Sequence, residues 1–584
     1  MPDRAGRHTG KTWEVATPFD GAADLGRRVG ASQLVGQILH NRGIDDGDAA
    51  RKFLDPKLTD LHDPALLADA PAAARRIAQA VARKERIVIY GDYDVDGIAG
   101  VAILHACLKM VGATADFYVP HRLEEGYGVN AEAVRKIIAD GMKLMITVDC
   151  GISAAGPLAE AKATGMDVIV TDHHSLPPRL PPAFAVVHPA LGGGYPNPDL
   201  CGAGVAFKLA WQTAREICGN ARVDAPMKEF LLDATCLAAL GTIADVVPLV
   251  GENRVLATFG LRGLPGSKHP GIRALLASAG LAGEKVDAYH VGFSLAPRLN
   301  ACGRMGHARL AVELLTQAGP KRCTEIAEYL AQQNEARKKV EREITAQAVE
   351  MAVAMGMDKP DCRAIVLASE AWHGGVIGIV ASRLVERFGR PTILIATSGE
   401  GAQGSGRSIP GFHMQNALTA CAEHLESYGG HAMAGGIRIE PGRIDAFRQV
   451  FCAHAASLIT EAQLCGTLRI DAEATLRMLD GTLAGQLSRM APFGPGNPTP
   501  VVVVRNCEIL GLPRRMGTNG RHMNMLLRQS GATMRAVGFG MGDLADQLAG
   551  ITHIDVAGEP VLNTFNGNTS IEIRLKDVAF GDDS

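Results

Sequence analysis

At 584 residues the chain is longer than one hydrophobic core supports, and about three or four domains are expected. With 47% hydrophobic and 21% charged residues it reads as a soluble globular protein, and no apolar run reaches the roughly 18 residues of a membrane span. A net charge of −3 does not announce a nucleic-acid binder, and twelve cysteines without a CxxC pair suit reduced thiols in a cytosol rather than a disulfide framework or zinc site. The polar, basic stretch Met1 to Lys11 lacks the apolar core of a secretory signal.

Residues 1–80 read as a helical lead-in, with Ala72 to Lys84 amphipathic. From Arg86 to about Val250, apolar runs (Arg86-Ile87-Val88-Ile89-Tyr90, Lys143 to Val148, Asp167 to Thr171) alternate with helical stretches over 98–111, 131–140 and 154–165. That alternation predicts a parallel βαβ sheet. Leu176 to Leu200, rich in proline and glycine, reads as a loop, and helices follow over 204–217 and 227–240. Arg322 to Met355 has neither proline nor glycine and predicts one long connecting helix. Ala364 to Ala396 restarts a strand–helix–strand pattern, a second and smaller α/β domain. Strand signals over 501–504, 523–528, 533–538, 554–558 and 570–575 then suit a β-barrel of OB type. The expected domains are 1–80, 81–320, 321–357, 358–460 and 461–584.

Three strand ends carry the chemistry: Gly91-Asp92-Tyr93-Asp94-Val95-Asp96-Gly97, Asp149-Cys150-Gly151 and Asp172-His173-His174. In an open parallel sheet such ends share one edge, where ligands bind. Carboxylates crowded there repel each other, and divalent cations relieve the repulsion. Hard cations take oxygen ligands, and Mn²⁺ also accepts imidazole. Asp94 and Asp96 can converge from one turn, while Asp149 is placed to bridge two ions. Of the adjacent His173 and His174, one can coordinate while the other faces substrate. An Asp after a strand is also commonly a helix cap, a reading that weakens when three such ends coincide.

With Ala244-Asp245, these segments resemble the four ordered motifs of the DHH phosphoesterase superfamily, and within it the single-strand-specific 5′→3′ DNA exonucleases. Pro297 to Met305 resembles the basic motif after the catalytic core. Trp372 to Gly378, Gly404 to Ser408 and Gly429 to Gly436 resemble the companion DHHA1 domain, and Ala491 to Pro498 the approach to an OB domain. The resemblance implies Asp94, Asp96, Asp149, His173 and Asp245 as ligands of two Mn²⁺ or Mg²⁺ ions, with Asp92 and His174 completing the motifs. Tyr90 stands where many members have His. A phenol of pKa about 10 is a poor ligand, which leaves either Asp92 to supply that oxygen or a first metal that is weakly held.

On residues alone, Gly404-Ser405-Gly406-Arg407-Ser408 is either a plain turn or a phosphate cradle with a guanidinium fork. The resemblance implies a 5′-phosphate pocket from Ser405, Arg407 and His431, a strand-end contact from Arg122, and backbone-phosphate contacts from Arg298, Asn300 and Arg304. From Asn253 to Cys323 there are ten Lys or Arg against three Asp or Glu, a polyanion surface or a solvated face. Trp372 and His373 are core or contact residues. The implied reaction is two-metal phosphodiester hydrolysis, with Asp149 and His174 catalytic, releasing 5′-mononucleotides from single-stranded DNA in repair and recombination. A cytoplasmic monomer without membrane attachment is expected, with single-strand-binding protein and a repair helicase as implied partners. The rivals are a phosphodiesterase for short oligonucleotides or cyclic dinucleotides, disfavoured by the barrel, and a non-catalytic scaffold, disfavoured by the intact acids.

Overall fold

The computed structural model describes residues 10–121, 125–126, 128–305, 308–397, 401–565 and 568–580. The chain forms two compact units. One holds Asp48–Glu335 together with Arg489–Thr499; the other holds the N-terminal segment up to Gly47, Ala336–Ser488 and the chain from Pro500 onward. After a short strand β1 (Thr12–Val15), the first unit is organised by β2 (Ile87–Gly91), β3 (Ala115–Tyr118), β4 (Leu144–Val148), β5 (Asp167–Thr171) and β6 (Ala185–Val187). Their order is β3-β2-β4-β5-β6, all parallel.

β2 and β4 are buried at every residue, as expected for strands covered on both faces. Side-chain alternation divides them. Ile87, Ile89, Ile146 and Val148 join a core with the helices Ala70–Ala82, Val95–Met110, Gly202–Cys218 and Ala225–Ala244. Val88, Tyr90 and Met145 join the opposite core with the helices Ala131–Ala139 and Ala155–Ala163. Tyr90 therefore belongs to packing: its hydroxyl donates to Gly128 O at 3.0 Å and accepts from Asn130 Nδ2 at 3.3 Å. β2 has neighbours on both sides, β3 and β4, so the chain changes winding direction there, and the gap beyond that switch is the favoured ligand site.

The stretch Leu176 to Leu200, expected as a loop, contains β6, whose three residues Ala-Val-Val are too short for a pattern between flanking prolines. Pairing with β5 makes it a strand.

In the other unit, β7 (Ile365–Ser369), β8 (Thr392–Ala396), β9 (Ala402–Arg407), β10 (Ser427–Gly430) and β11 (Ala434–Ile439) are ordered β10-β11-β9-β8-β7. Only β7 and β8 are parallel. Gly404 to Arg407 is thus central strand rather than a turn. A Cβ on Gly404 would fall 2.6 Å from Ile437 Cγ1 and one on Gly406 3.0 Å from Met414 Sδ, so these glycines admit core neighbours. β12 (Thr467–Ile470) pairs in parallel with β1, so the N-terminal segment contributes a strand and not only helices. β13 (Ala472–Glu473), β14 (Val502–Met516), β15 (His522–Gln529), β16 (Ala532–Gly538), β17 (His553–Phe565) and β18 (Asn568–Ala579) follow the order β13-β14-β15-β16-β18-β17, and pairing of β14 with β17 closes a five-stranded, OB-like barrel. Trp13 anchors the N-terminal strand through Nε1, which donates to Asp577 Oδ2 at 2.8 Å. The long helix spans Pro320–Ala354. No helix among the described residues is long and apolar enough to cross a membrane.

Candidate metal centre

Each acid is delivered by the end of a regular element. Asp94 Oδ1 accepts the N–H groups of Asp96 at 2.9 Å and Gly97 at 3.2 Å, capping the helix Val95–Met110. Cap and site residue are one carboxylate. Asp96, buried in the first turn, accepts the N–H groups of Gly202 at 2.6 Å and Ala203 at 2.9 Å, so it also faces the positive end of the helix Gly202–Cys218. Asp149 leaves β4 with φ 61, a left-handed conformation that costs a non-glycine residue about 1 kcal/mol or more. Asp245 ends the helix Ala225–Ala244, and the next residue, Val246, is left-handed as well, φ 64.

These groups converge. His173 Nε2 lies 3.1 Å from Asp149 Oδ1, 3.6 Å from Asp245 Oδ2 and 3.8 Å from Asp96 Oδ2. Potential ligand atoms fall within 4.8 Å of one another in three sets: Asp149, His173 and His174; Asp96, His173 and Asp245; and Asp92, Asp94 and Asp149. Asp149 and His173 each belong to two sets, which ties the three into one cluster.

The carboxylates of the cluster raise one another's pKa values. Burial, then the Asp94 carboxylate, lifts Asp96 to about 6; burial, then Asp96 and Asp94, lifts Asp245 to about 8. Burial and the other acids push Asp149 well above the carboxylate range. Burial and the neighbouring His174 lower His173 to about 4, leaving a neutral imidazole whose Nε2, buried among carboxylate oxygens, has no hydrogen-bond partner among the described residues. Hard oxygens and one neutral imidazole fit divalent cations such as Mn²⁺ or Mg²⁺.

His174 is held differently. Burial alone would lower its pKa, but Asp172, 2.8 Å from Nδ1, raises it above the ordinary histidine value. Asp172 also accepts the N–H groups of Ile152 at 2.9 Å, His173 at 2.8 Å and His174 at 3.1 Å. Burial would raise its carboxyl, but the His174 side chain first, and then the backbone N–H groups of Ile152 and His174, keep it below the usual range. His188 completes the support. Its Nδ1 accepts from Ala190 N–H at 3.1 Å, so Nε2 carries the proton and donates to His174 O at 2.8 Å. Asp172 was visible only as part of a motif. His188 follows the strand that composition concealed, and no sequence signal marks it.

The remaining expected residues divide. Asn300 Oδ1 accepts from Val95 N–H at 3.1 Å, tying the helix Ala296–Met305 to the acidic turn. Arg298 donates to the carbonyls of Ser294 at 2.6 Å and Ser278 at 3.4 Å, so two of its donors serve the fold. Arg122 and the side chain of Arg304 lie outside the described residues. Arg407 Nη1 donates to Ser405 Oγ at 3.1 Å. Both side chains lie beside Gly378 at the start of the helix Ile377–Phe388, where a Cβ would fall 2.8 Å from Ser405 Oγ and 3.0 Å from Arg407 Nη2. A guanidinium and a hydroxyl at a helix N-terminus suit a phosphate. His431 is exposed just after β10, and Trp372 is buried, donating to Gln347 Oε1 at 3.1 Å.

Two features escaped the sequence reading. Tyr289 and Phe293, 66% and 62% exposed, stack at 4.6 Å beside the π-helical turn Val291–Leu295 that leads into the helix bearing Asn300. Their i, i+4 spacing was the available signal. Second, Ala491 to Pro498 packs with the unit that carries the acid cluster: the buried Arg254 donates to the carbonyls of Arg489, Ala491 and Pro492, and Leu249 N–H to Pro495 O at 2.7 Å. It braces the segment that follows Asp245.

Comparison with known proteins agrees with this geometry. Residues 86–239 match the DHH family N-terminal domain, 361–457 the DHHA1 domain and 470–577 the RecJ OB domain. The single-stranded-DNA-specific exonuclease RecJ of Bacillus subtilis (strain 168) is 38% identical over 97% of this chain and 70% of its own length. That of Haemophilus influenzae is 33% identical over 94% of this chain and 97% of its own. The crystal structure of RecJ in complex with Mn²⁺ from Thermus thermophilus superposes with a TM-score of 0.83 at 31% identity, covering 100% of this chain and 81% of that one.

Proposed function

The chain belongs to the RecJ family of DHH phosphoesterases, and from that premise we propose that it is a metal-dependent exonuclease that hydrolyses single-stranded DNA from the 5′ end and releases 5′-mononucleotides. The convergence of Asp96, Asp149, His173 and Asp245 carries this reading.

Asp92, Asp94, Asp96, Asp149, His173 and Asp245 would hold two divalent cations, and Asp149 and His173 each belong to two of the ligand sets. When bound, such ions supply an activated water at neutral pH and stabilise charge on the phosphate oxygens. His174, whose pKa Asp172 raises, donates to the scissile phosphate or its leaving oxygen. Arg407 and Ser405, with His431, take the terminal 5′ phosphate, which sets polarity. Arg122 and Arg304 join Asn300 and Arg298 along the backbone, and Tyr289 with Phe293 offers a face on which bases stack without sequence preference. A cytoplasmic monomer acting in repair, recruited by single-strand-binding protein and a helicase, follows from the family resemblance.

The test is an end-labelled, 5′-phosphorylated oligonucleotide of about 30 nucleotides, long enough to span several binding sites. It is presented single-stranded and as duplex, beside a dinucleotide control, with Mn²⁺, Mg²⁺ or chelator. Metal-dependent release of mononucleotides from the single strand alone is expected. Faster turnover of the dinucleotide than of the long strand would make this a small-substrate phosphodiesterase, and unchanged activity of Asp149→Ala would end the metal assignment.

A further inference from the structure

The helix Gly251–Gly263 opens with three consecutive polar or charged side chains, Glu252, Asn253 and Arg254, each 1% exposed. Such burial is stable only where the polar atoms find partners. Glu252 accepts from Tyr195 Oη at 2.6 Å and from His62 N–H at 2.9 Å, and it pairs with the buried Lys208. Arg254 serves the carbonyls of Phe53, Ala491 and Pro492. The carboxamide of Asn253 instead joins two segments that lead to the acid cluster. Its Nδ2 donates to Asp199 O at 2.7 Å and to Pro248 O at 3.1 Å, and its Oδ1 accepts from Asn197 Nδ2 at 3.0 Å. Both hydrogens and the oxygen of the amide are thereby used.

The two carbonyls flank the metal centre. Asp199 stands three residues before Gly202, and the N–H groups of Gly202 and Ala203 hold Asp96. Pro248 stands three residues after Asp245. Asp96 is wedged between the helices concerned: a Cβ on Gly241 would fall 2.4 Å from Asp96 Oδ1 and 2.5 Å from Ala203 Cβ. Cys201 Sγ and Thr242 Oγ1, at 3.5 Å, form a second link between them. From Asp245 to the start of the helix Gly251–Gly263 the chain is irregular and Val246 is left-handed, φ 64. Cross-links from side chains, rather than regular backbone bonding, therefore locate that segment.

We propose that Asn253 is a positioning residue of the metal centre. Its carboxamide fixes the spacing between the segment that holds Asp96 and the segment that follows Asp245, and so sets the affinity for an ion held by Asp96, His173 and Asp245. The inference rests on the metal reading given above. Ligand atoms on separate segments bind an ion tightly only when groups behind them hold their separation, and removing such a group typically weakens metal binding 10–100-fold. Shape alone does not suffice at this position. Leucine has the same branching as asparagine but offers no donor, and the two carbonyl oxygens would lose the group they share.

Mn²⁺ binding to the chelator-stripped full chain tests this, followed by the electron paramagnetic resonance signal of free Mn²⁺ at a temperature where each variant is fully folded. Asn253→Leu should raise the Mn²⁺ dissociation constant about 10–100-fold. Asn197→Ala, which removes one neutral hydrogen bond orienting the amide, should raise it about fivefold. A residue serving stability alone would lower the unfolding midpoint and leave the Mn²⁺ affinity of the folded protein at the wild-type value. Unchanged affinity in folded Asn253→Leu, or in Asn197→Ala should Asn253→Leu not fold, would overturn the assignment while leaving the metal reading intact. Absence of Mn²⁺ binding by the wild-type chain would overturn both.

Discussion

Gly202 lies so close to Asp149 that a Cβ built on it would fall 2.6 Å from the aspartate's own Cβ and 2.8 Å from Oδ1. The same glycine's N–H donates to Asp96 Oδ2 at 2.6 Å. One helix start therefore fills the space behind two carboxylates of the cluster, and any side chain there must displace one of them.

Gly202→Ala should therefore lower nuclease activity by about 10²-fold or more through displacement of Asp149, at a stability cost of about 1–3 kcal/mol. Steady-state kinetics with denaturant unfolding checks both. A substitution that unfolds the protein without altering activity of the folded fraction would contradict the placement.

Asp172→Asn removes the charge that raises the His174 pKa while preserving the shape of the hydrogen-bonding group. The expected loss in kcat is about 10–100-fold with little change in KM. Because Asp172 raises the His174 pKa, the alkaline limb of the kcat–pH profile should move to lower pH in the variant. A limb that stays in place would separate His174 from proton donation.

Metal removal should make stability depend on pH in an unusual direction. Asp96 and Asp245 have folded pKa values raised to about 6 and about 8, above their unfolded values. Their contribution is complete below the unfolded pKa and is lost as pH rises through the folded values. The Tm of chelator-treated protein should thus fall from about pH 4, where the unfolded carboxylates ionise, to about pH 8, where Asp245 is ionised in the folded protein too, and the gain on adding Mn²⁺ should grow over the same window as bound protons are released. Differential scanning fluorimetry across that range, with a flat metal-free Tm as the contrary result, decides it.

Tyr289→Ala and Phe293→Ala should weaken binding of single-stranded oligonucleotides by about 1–3 kcal/mol each. Turnover of a dinucleotide, which offers the fewest bases to stack, should be affected least. Fluorescence anisotropy against oligonucleotide length provides the measurement.

Much of this was legible in residue order. Strand ends are local events, so the positions of Asp92, Asp94, Asp96, Asp149, His173 and His174 could be read from apolar runs that stop at an acid or imidazole. The long helix and the closed barrel strands carried equally local signals. The helix-cap reading of Asp94 and the site reading looked like alternatives, yet they are compatible, because only one of its oxygens is used on the cap and the carboxylate still falls among the clustered ligand atoms.

What composition and periodicity determined was which segments form strands and helices and which acids stand at their ends, since those depend on neighbours in the chain. What tertiary structure alone decided was contact between distant residues. It turned Ala185–Val187 into a strand through pairing with β5, made Gly404 and Gly406 part of a packed sheet, put His188 behind His174, and placed Gly202 against Asp149. Strand pairing and close approach are set by partners a dozen or more residues away, and nothing in a local window encodes them.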